Sequence, residues 1–287
     1  MGPLTSYGVD QLRRLWPIRK GDAASIAVYE RELPVSLERM FENALDVDHL
    51  PWLHTSSFSD ITVIERGNWG WEAIAHTPPR SRLTKMHLRL TLDREQGCWT
   101  TETLDGLGKG AKIVTHATQI EPRKIKIRVE FSLPSFPAVL KGAYATRFLQ
   151  TYAQLYDEDL SMMSGRQSAL DQRKQAKRGA KQSELDLGPA SSLKARLPFL
   201  FELGGESYRL DRVNDQWCVF SALCPHALGP LDTAEINADG LIQCPWHGYQ
   251  FNVLNGECIT ESACRLPAPP EVSIQPDSGH VIVQSNR

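Results

Sequence analysis

Four residues with metal-binding side chains stand in two short groups near the C-terminal end of the 287-residue chain. Cys224 and His226 form the first group, and Cys244 and His247 form the second after seventeen intervening residues. Two thiolates and two imidazoles on two short loops can hold a metal centre, which constrains the fold around them. Residues 196–287 are therefore predicted to form a small domain with one metal site. Tetrahedral zinc is an alternative occupant, because it also accepts two cysteines and two histidines.

The sequence around these loops resembles the Rieske family. The family pattern is Cys-x-His, an insertion, and then Cys-x-x-His-Gly, which Gly248 completes here. The resemblance implies a [2Fe–2S] cluster with Cys224 and Cys244 on one iron and His226 and His247 on the other. Neither loop has the extra cysteines of cytochrome-bc-type domains, so the chain is more similar to the ferredoxin and oxygenase branch. Neutral imidazoles raise the cluster potential, so a ferredoxin or flavin reductase can reduce it.

A second set of candidate ligands lies closer to the N-terminus. His49 and His54 flank Pro51, so they do not sit on one regular helix, and a break there can bring both rings to one metal ion. An Fe(II) that activates O₂ is held by two imidazoles and one carboxylate, with open coordination positions. Asp159 can supply the carboxylate if the apolar stripe of its predicted helix faces the sheet. On their own, such a histidine pair and such an acidic helical run are more often structural or solvated.

Together with their neighbours in the sequence, these residues resemble the ligand motifs in the catalytic domain of Rieske non-heme iron oxygenases. The family pattern Asn-x-x-Asp-x-x-His-x-x-x-x-His is met by Asn43, Asp46, His49 and His54, and the distal Glu-Asp pair by Glu158 and Asp159. The resemblance implies that His49, His54 and Asp159 bind iron. It also implies that Asp46 connects an iron-bound histidine to a cluster histidine and fixes their orientation. Asn43, like Asp46, is implied to be a catalytic residue, with capping of the helix break as the alternative for Asn43. Glu158 would support the iron ligands.

Hydrophobic patterning predicts the fold that carries these residues. Alternating runs separated by turn residues predict an antiparallel meander from residue 58 to 133, with a helix before it and a long helix after it. We expect an α+β protein with a START/SRPBCC-like helix-grip catalytic domain (1–170), a linker (171–195) and an all-β Rieske domain (196–287). Relative to the family that it resembles, the chain has the two domains in reversed order.

Composition narrows the expected partners and location. The formal net charge of −2 gives no global basic surface, so neither nucleic acid nor an anionic membrane is an expected partner. No apolar stretch is long enough to span a bilayer, and the N-terminus lacks the pattern of a signal peptide, which predicts a cytoplasmic protein. Six cysteines are too sparse for a disulfide scaffold.

Together these features predict a Rieske-type oxygenase. It would use O₂ and electrons from an external reductase or ferredoxin to hydroxylate, or oxidatively demethylate, a small and largely apolar organic substrate in the sheet cavity. The resemblance also implies a homotrimer in which electrons pass between neighbouring subunits. The alternative is a non-catalytic Rieske electron-transfer or redox-sensing protein with a ligand-binding START-like domain and no mononuclear iron.

Overall fold

The computed structural model describes residues 25–133, 141–176, 182–261 and 263–285. Its first half is built on a seven-stranded, fully antiparallel sheet with the order β1-β7-β6-β5-β4-β3-β2. The strands are β1 (Ser25–Leu33), β2 (Asp60–Gly67), β3 (Gly70–His76), β4 (Lys85–Asp93), β5 (Cys98–Gly106), β6 (Lys112–Glu121) and β7 (Lys124–Ser132), and a 3₁₀ turn spans Arg82–Thr84. The predicted meander is therefore confirmed.

Strict alternation in the sequence explains why one face of this sheet is buried. In β7, Ile125, Ile127, Val129 and Phe131 point inward while the intervening charged residues point toward solvent. Successive side chains of a strand lie on opposite faces, so this period-two pattern fixes the register. Each fully buried aliphatic side chain of this kind contributes roughly 1.5–3 kcal/mol of hydrophobic stabilisation.

A helical segment links the two edge strands of the sheet. It consists of α1 (Leu37–Leu45), a 3₁₀ turn (Val47–His49) and α2 (Leu50–Leu53). The Ser36 side chain accepts a hydrogen bond from the backbone N–H of Arg39 and so caps α1. Asp46 has non-helical backbone angles and ends α1, and Pro51 then starts α2 at a position where it costs no hydrogen bond. His49 ends the 3₁₀ turn and His54 follows α2, so the two histidines do not sit on one regular helix, as expected, but the helical path is interrupted at Asp46 and not at Pro51.

A long helix, α3 (Lys141–Ala176), lies across the sheet. Tyr156 of α3 stacks on Tyr29 of β1, with ring centroids 5.9 Å apart. Tyr152 meets Phe131 of β7 edge to face at 4.6 Å, and Phe148 stacks on Phe131 at 5.2 Å. The expected helix-grip arrangement is confirmed. Where we expected an apolar cavity between the sheet and the helix, the structure packs these aromatic rings.

The second half of the chain is made of short strands in small sheets. They are β8 (Glu184–Pro189), β9 (Phe199–Leu203), β10 (Glu206–Val213), β11 (Gln216–Ser221), β12 (Leu241–Gln243), β13 (Gln250–Asn252), β14 (Glu271–Ile274) and β15 (His280–Gln284), with a short helix, α4 (Ala190–Lys194), after β8. β9, β10 and β11 form one antiparallel sheet, β12 and β13 form a hairpin, and β15 lies between β14 and β8. The predicted all-β character of this half is confirmed.

The predicted linker needs a correction. Residues 171–176 continue α3, and β8 pairs with β15, the last strand of the chain. Leu193 of α4 is fully buried in the same apolar cluster as Val281. The sequence from residue 184 onward therefore belongs to the C-terminal unit. Residues 177–181 of the predicted linker and residues 1–24 of the predicted first domain lie outside the described residues.

No helix among the described residues is both long enough and apolar enough to cross a membrane.

Candidate functional site

Three predicted iron ligands converge where the helical segment meets α3. His49 Nε2 lies 3.4 Å from Asp159 Oδ1, and His54 Nε2 lies 3.0 Å from the same oxygen. One candidate ligand atom from each residue lies within 4.8 Å of the other two, and all three residues are buried. The imidazole rings are 5.1 Å apart and nearly perpendicular. This is the donor set of two imidazoles and one carboxylate that suits a non-heme Fe(II) site.

The hydrogen bonding of His49 supports a metal at this position. His49 is 2 % exposed, and neither of its ring nitrogens has a hydrogen-bond partner among the described residues. Buried polar atoms without partners are costly and rare, and an imidazole nitrogen satisfied by a metal ion removes that cost. Burial disfavours the charged carboxylate of Asp159, but the adjacent imidazoles of His49 and His54 outweigh burial and lower its pKa. The residues therefore fit a metal ion.

Glu158 contacts His54 on the side of the ring that points away from Asp159. Its Oε2 lies 2.6 Å from His54 Nδ1, so Nε2 is the nitrogen turned toward Asp159. Gln154, one turn earlier on α3, donates from Nε2 to Glu158 Oε1 at 2.9 Å. A carboxylate on the distal nitrogen of a metal-bound histidine fixes its tautomer and its orientation. Glu158 thus has the geometry of a positioning residue.

Replacing Glu158 with alanine should weaken iron retention at this site roughly 10–100-fold and leave the cluster iron in place. The reason is that His54 loses the carboxylate that orients it. Iron content and visible absorption during titration with a ferrous chelator would measure the two sites separately. Asp157→Ala is the matched control, because Asp157 is an exposed neighbour that pairs with Arg31. Equal iron loss in the two variants would contradict the positioning role.

The four predicted cluster ligands meet at the tips of two loops. Cys224 and Cys244 are each 1 % exposed, and a thiol–thiol hydrogen bond raises the pKa of Cys224 and lowers that of Cys244. The rings of His226 and His247 are 4.6 Å apart at a right angle. His247 Nδ1 is buried without a hydrogen-bond partner in the described part of the chain. Two close sulfur atoms beside two close imidazoles fit a Rieske [2Fe–2S] cluster.

Glycine is required where the two loops approach each other. A Cβ atom on Gly229 would lie 2.7 Å from Cys244 Sγ and 3.1 Å from the Trp246 ring. Gly248 has φ of +68°, and a Cβ there would lie 2.2 Å from the Trp52 ring. Side chains cannot be added at either position without displacing a neighbour. Gly229 therefore leaves space for Cys244 Sγ, and Gly248 leaves space for the Trp52 ring.

Asp46 lies between the two sets of ligands. Its Oδ2 is 2.7 Å from His247 Nε2 and 3.9 Å from His49 Nδ1. The rings of His49 and His247 are 6.4 Å apart. Burial disfavours the charge of Asp46, but the hydrogen bond with His247 and charge from His49 outweigh it and lower its pKa. One ionised carboxylate thus faces a candidate cluster ligand and a candidate iron ligand.

Asn43, the remaining predicted site residue, is placed differently. Its backbone carbonyl accepts a hydrogen bond from the Asp46 N–H at 3.2 Å and helps to end α1. Its side chain is buried, and its Oδ1 has no hydrogen-bond partner among the described residues. It lines a cavity of about 330 Å³ beside Asp46 and His226. A catalytic role for Asn43 therefore stays a prediction.

The sequence analysis missed the residues that bring the two units together. Trp52 lies between the two candidate iron ligands in the sequence and contacts Gly248. Met162 of α3 belongs to the same buried cluster as Trp246 and the loop cysteines, and Leu53 packs against that cluster. The available signal in the sequence was a large aromatic residue between the two histidines of the ligand motif. In the structure Trp52 remains 44 % exposed.

Comparison with known proteins identifies one of the two units. The family model for the Rieske [2Fe-2S] domain matches residues 183–270, so the chain contains a Rieske domain, and this domain implies a [2Fe–2S] cluster. Its first residue agrees with the start of β8 rather than with the predicted boundary at residue 196. The matched range contains all four predicted cluster ligands.

Two curated relatives and one solved structure are similar to parts of this chain. Pheophorbide a oxygenase of Arabidopsis thaliana is 38 % identical over 77 residues, which cover 26 % of this chain and 13 % of the relative. Protochlorophyllide-dependent translocon component 52 of the same plant is 44 % identical over 60 residues, which cover 21 % of this chain and 11 % of the relative. A START superfamily protein from Mycobacterium smegmatis aligns over 48 % of this chain and 96 % of its own, at 11 % identity and a TM-score of 0.39. The matches thus span only a small part of the curated relatives.

Proposed function

We propose that this protein is a Rieske-type oxygenase, in which the N-terminal unit holds a mononuclear iron and the C-terminal unit holds the [2Fe–2S] cluster. The observation that carries the proposal is the position of Asp46, whose Oδ2 faces both His247 of the Rieske loop and His49 of the buried ligand set. A carrier that only stores an electron has no need of a second ligand set at this distance. The similarity to pheophorbide a oxygenase supports the same class of enzyme.

When bound, the cluster would supply single electrons and the mononuclear iron would activate O₂. Within this proposal, His49, His54 and Asp159 hold the iron, and Glu158 orients His54. Asp46 orients the ring of His247 through a hydrogen bond, and the same carboxylate oxygen lies 3.9 Å from His49 Nδ1. Two loops hold the cluster through Cys224, His226, Cys244 and His247.

The proposed substrate is a small, largely apolar organic molecule that becomes hydroxylated or oxidatively demethylated. Tyr152, Tyr156 and Met163 share the inward face of α3 with Asp159, so apolar side chains surround the candidate iron ligands. Apolar surroundings with a few polar groups are typical of pockets for small organic ligands. The relatives match at most 26 % of this chain, so the molecules that they act on are not assigned to it.

The electron donor in this proposal is an external ferredoxin or reductase. His226 is exposed, whereas His247 is buried against Asp46, so His226 is the cluster ligand that a donor protein can approach. The cavity beside His226 is also lined by Arg39, Arg94 and Arg166. Glu42 pairs with Arg39 and Arg166, and Glu38 pairs with Arg94, so these cations do not by themselves specify the charge of the donor surface.

Iron stoichiometry tests the proposal. The oxygenase should contain three irons per chain, two in the cluster and one in the mononuclear site, and should consume O₂ when a reductase and a substrate are present. The His54→Ala variant should contain two irons and keep the visible absorption of the cluster. A count of two irons in the wild-type chain, without substrate-linked O₂ uptake, would instead identify an electron carrier or a redox sensor.

A further inference from the structure

The face of His247 that points away from the cluster ligands is covered by the same chain. The His247 side chain is 1 % exposed, and its Nε2 lies 2.7 Å from Asp46 Oδ2. A carboxylate from another chain can reach this nitrogen only if the Rieske domain first leaves its own Asp46. The hydrogen bond between His247 and Asp46 would then be lost, and a buried polar group left without a partner is unfavourable.

The contact around this pair is apolar and close. The Trp52 ring lies against Gly248, so near that a Cβ atom there would be 2.2 Å from it. On the other side, Gly165 of α3 lies against the Trp246 ring, with a hypothetical Cβ at 3.1 Å. Met162 is buried in the same cluster as the two loop cysteines. Separating the units would expose these surfaces to water, so burial of apolar area adds to the cost of opening.

The two histidines of the Rieske loops differ in access. His226 is exposed and stacks on Tyr249 with ring centroids 4.5 Å apart, whereas His247 is enclosed. A donor protein can therefore approach the His226 side while the His247 side stays docked. The donor can therefore reduce the cluster, and the cluster can pass the electron on, without a movement of the Rieske domain between the two steps.

We propose that electron transfer between the two metal sites is completed within a single polypeptide, from His247 through Asp46 to His49 of the same chain, with no residue from a neighbouring subunit. This inference rests on the proposed function and differs from the inter-subunit path that the resemblance implies. In the step, the reduced cluster loses one electron and becomes diferric, and one ferric mononuclear iron becomes ferrous. The external reductase or ferredoxin then returns the electron to the cluster.

Complementation between two inactive variants tests the route. His54→Ala removes the mononuclear iron and keeps the cluster, whereas Cys244→Ser removes the cluster and keeps the iron site; Cys224→Ser serves if the latter does not fold. The two full-length chains carry different affinity tags, are co-expressed and are purified through both tags. With the mononuclear iron in the ferric state, the clusters are reduced anaerobically with one electron equivalent of dithionite per cluster, and recovery of the visible absorption of the oxidised cluster is followed.

Wild-type protein with a ferric mononuclear site should recover its absorption, and the mixed preparation should not. Recovery in the mixed preparation at a rate close to that of the wild type would overturn the single-chain path. If no mixed oligomer is isolated, the two purified variants are combined, and absence of recovery again supports the proposal. Failure of the wild-type protein itself, together with two irons per chain, would overturn the proposed function instead, so the two failures are distinguishable.

Discussion

Replacing Asp46 with alanine should slow the reoxidation of the reduced cluster by the mononuclear site by about 100-fold, the upper end of what loss of such an orienting carboxylate costs. Both metal sites should stay largely occupied, because Asp46 is predicted to ligate neither metal. The effect arises because Asp46 Oδ2 is the atom that lies between His247 Nε2 and His49 Nδ1. Stopped-flow absorption of the cluster, with iron analysis of the same sample, measures both quantities.

Asp48→Ala is the matched control for this experiment. Asp48 lies two residues away, has the same side chain, and pairs with Arg66 rather than with either histidine. It should reoxidise its cluster at close to the wild-type rate. A wild-type rate in Asp46→Ala would show that the carboxylate does not connect the sites. Loss of iron from either site in that variant would indicate a structural role instead.

The second large effect is expected at Gly229. Alanine at this position places a methyl group 2.7 Å from Cys244 Sγ, an atom that is fixed in place once it holds the cluster. The Trp246 ring closes the other side at 3.1 Å, so the loop has to shift. Overpacking of this kind typically costs about 1–3 kcal/mol, and here the strain falls on a cluster ligand. We expect Gly229→Ala to lose most of its cluster, as measured by visible absorption and by sulfide analysis.

Gly142→Ala makes the same chemical change at an open position. Gly142 lies in α3, and nothing stands within 4 Å of a Cβ atom there. A methyl group at this position meets no neighbour, so this variant should keep its cluster. A fully loaded cluster in Gly229→Ala would mean that the two loops tolerate a wider separation.

Much of the site was predictable because its candidate ligands stand only a few residues apart in the sequence. The absence of one regular helix that carries both His49 and His54, and the inward position of Asp159, both follow from local helix geometry, and the structure contains them. The loop cysteines likewise come together as the motif predicts. The assignment of iron to His49, His54 and Asp159 stays a prediction that metal analysis will test.

Features that depend on distant parts of the chain were not predictable in the same way. β8 was assigned to a linker because its six residues carry little apolar character of their own, and it becomes a strand by pairing with β15 about a hundred residues later. The contact between Asp46 and His247 is likewise a matter of how two folded units dock, which sequence spacing does not encode. The expected inter-subunit path followed from the resemblance, whereas in the structure this contact forms inside one chain.

Helix α3 fixes the distance between the candidate iron ligands and the Rieske loop. It carries Asp159 toward the buried histidines and, six residues later, Gly165 against Trp246 of the Rieske loop. These positions are separated by about 9 Å along one rigid axis, at 1.5 Å per residue. Inserting a single residue between them would rotate the two contact faces by about 100° relative to each other, at 3.6 residues per turn. Lengthening or shortening this stretch would therefore misalign both sites, even if every ligand were kept.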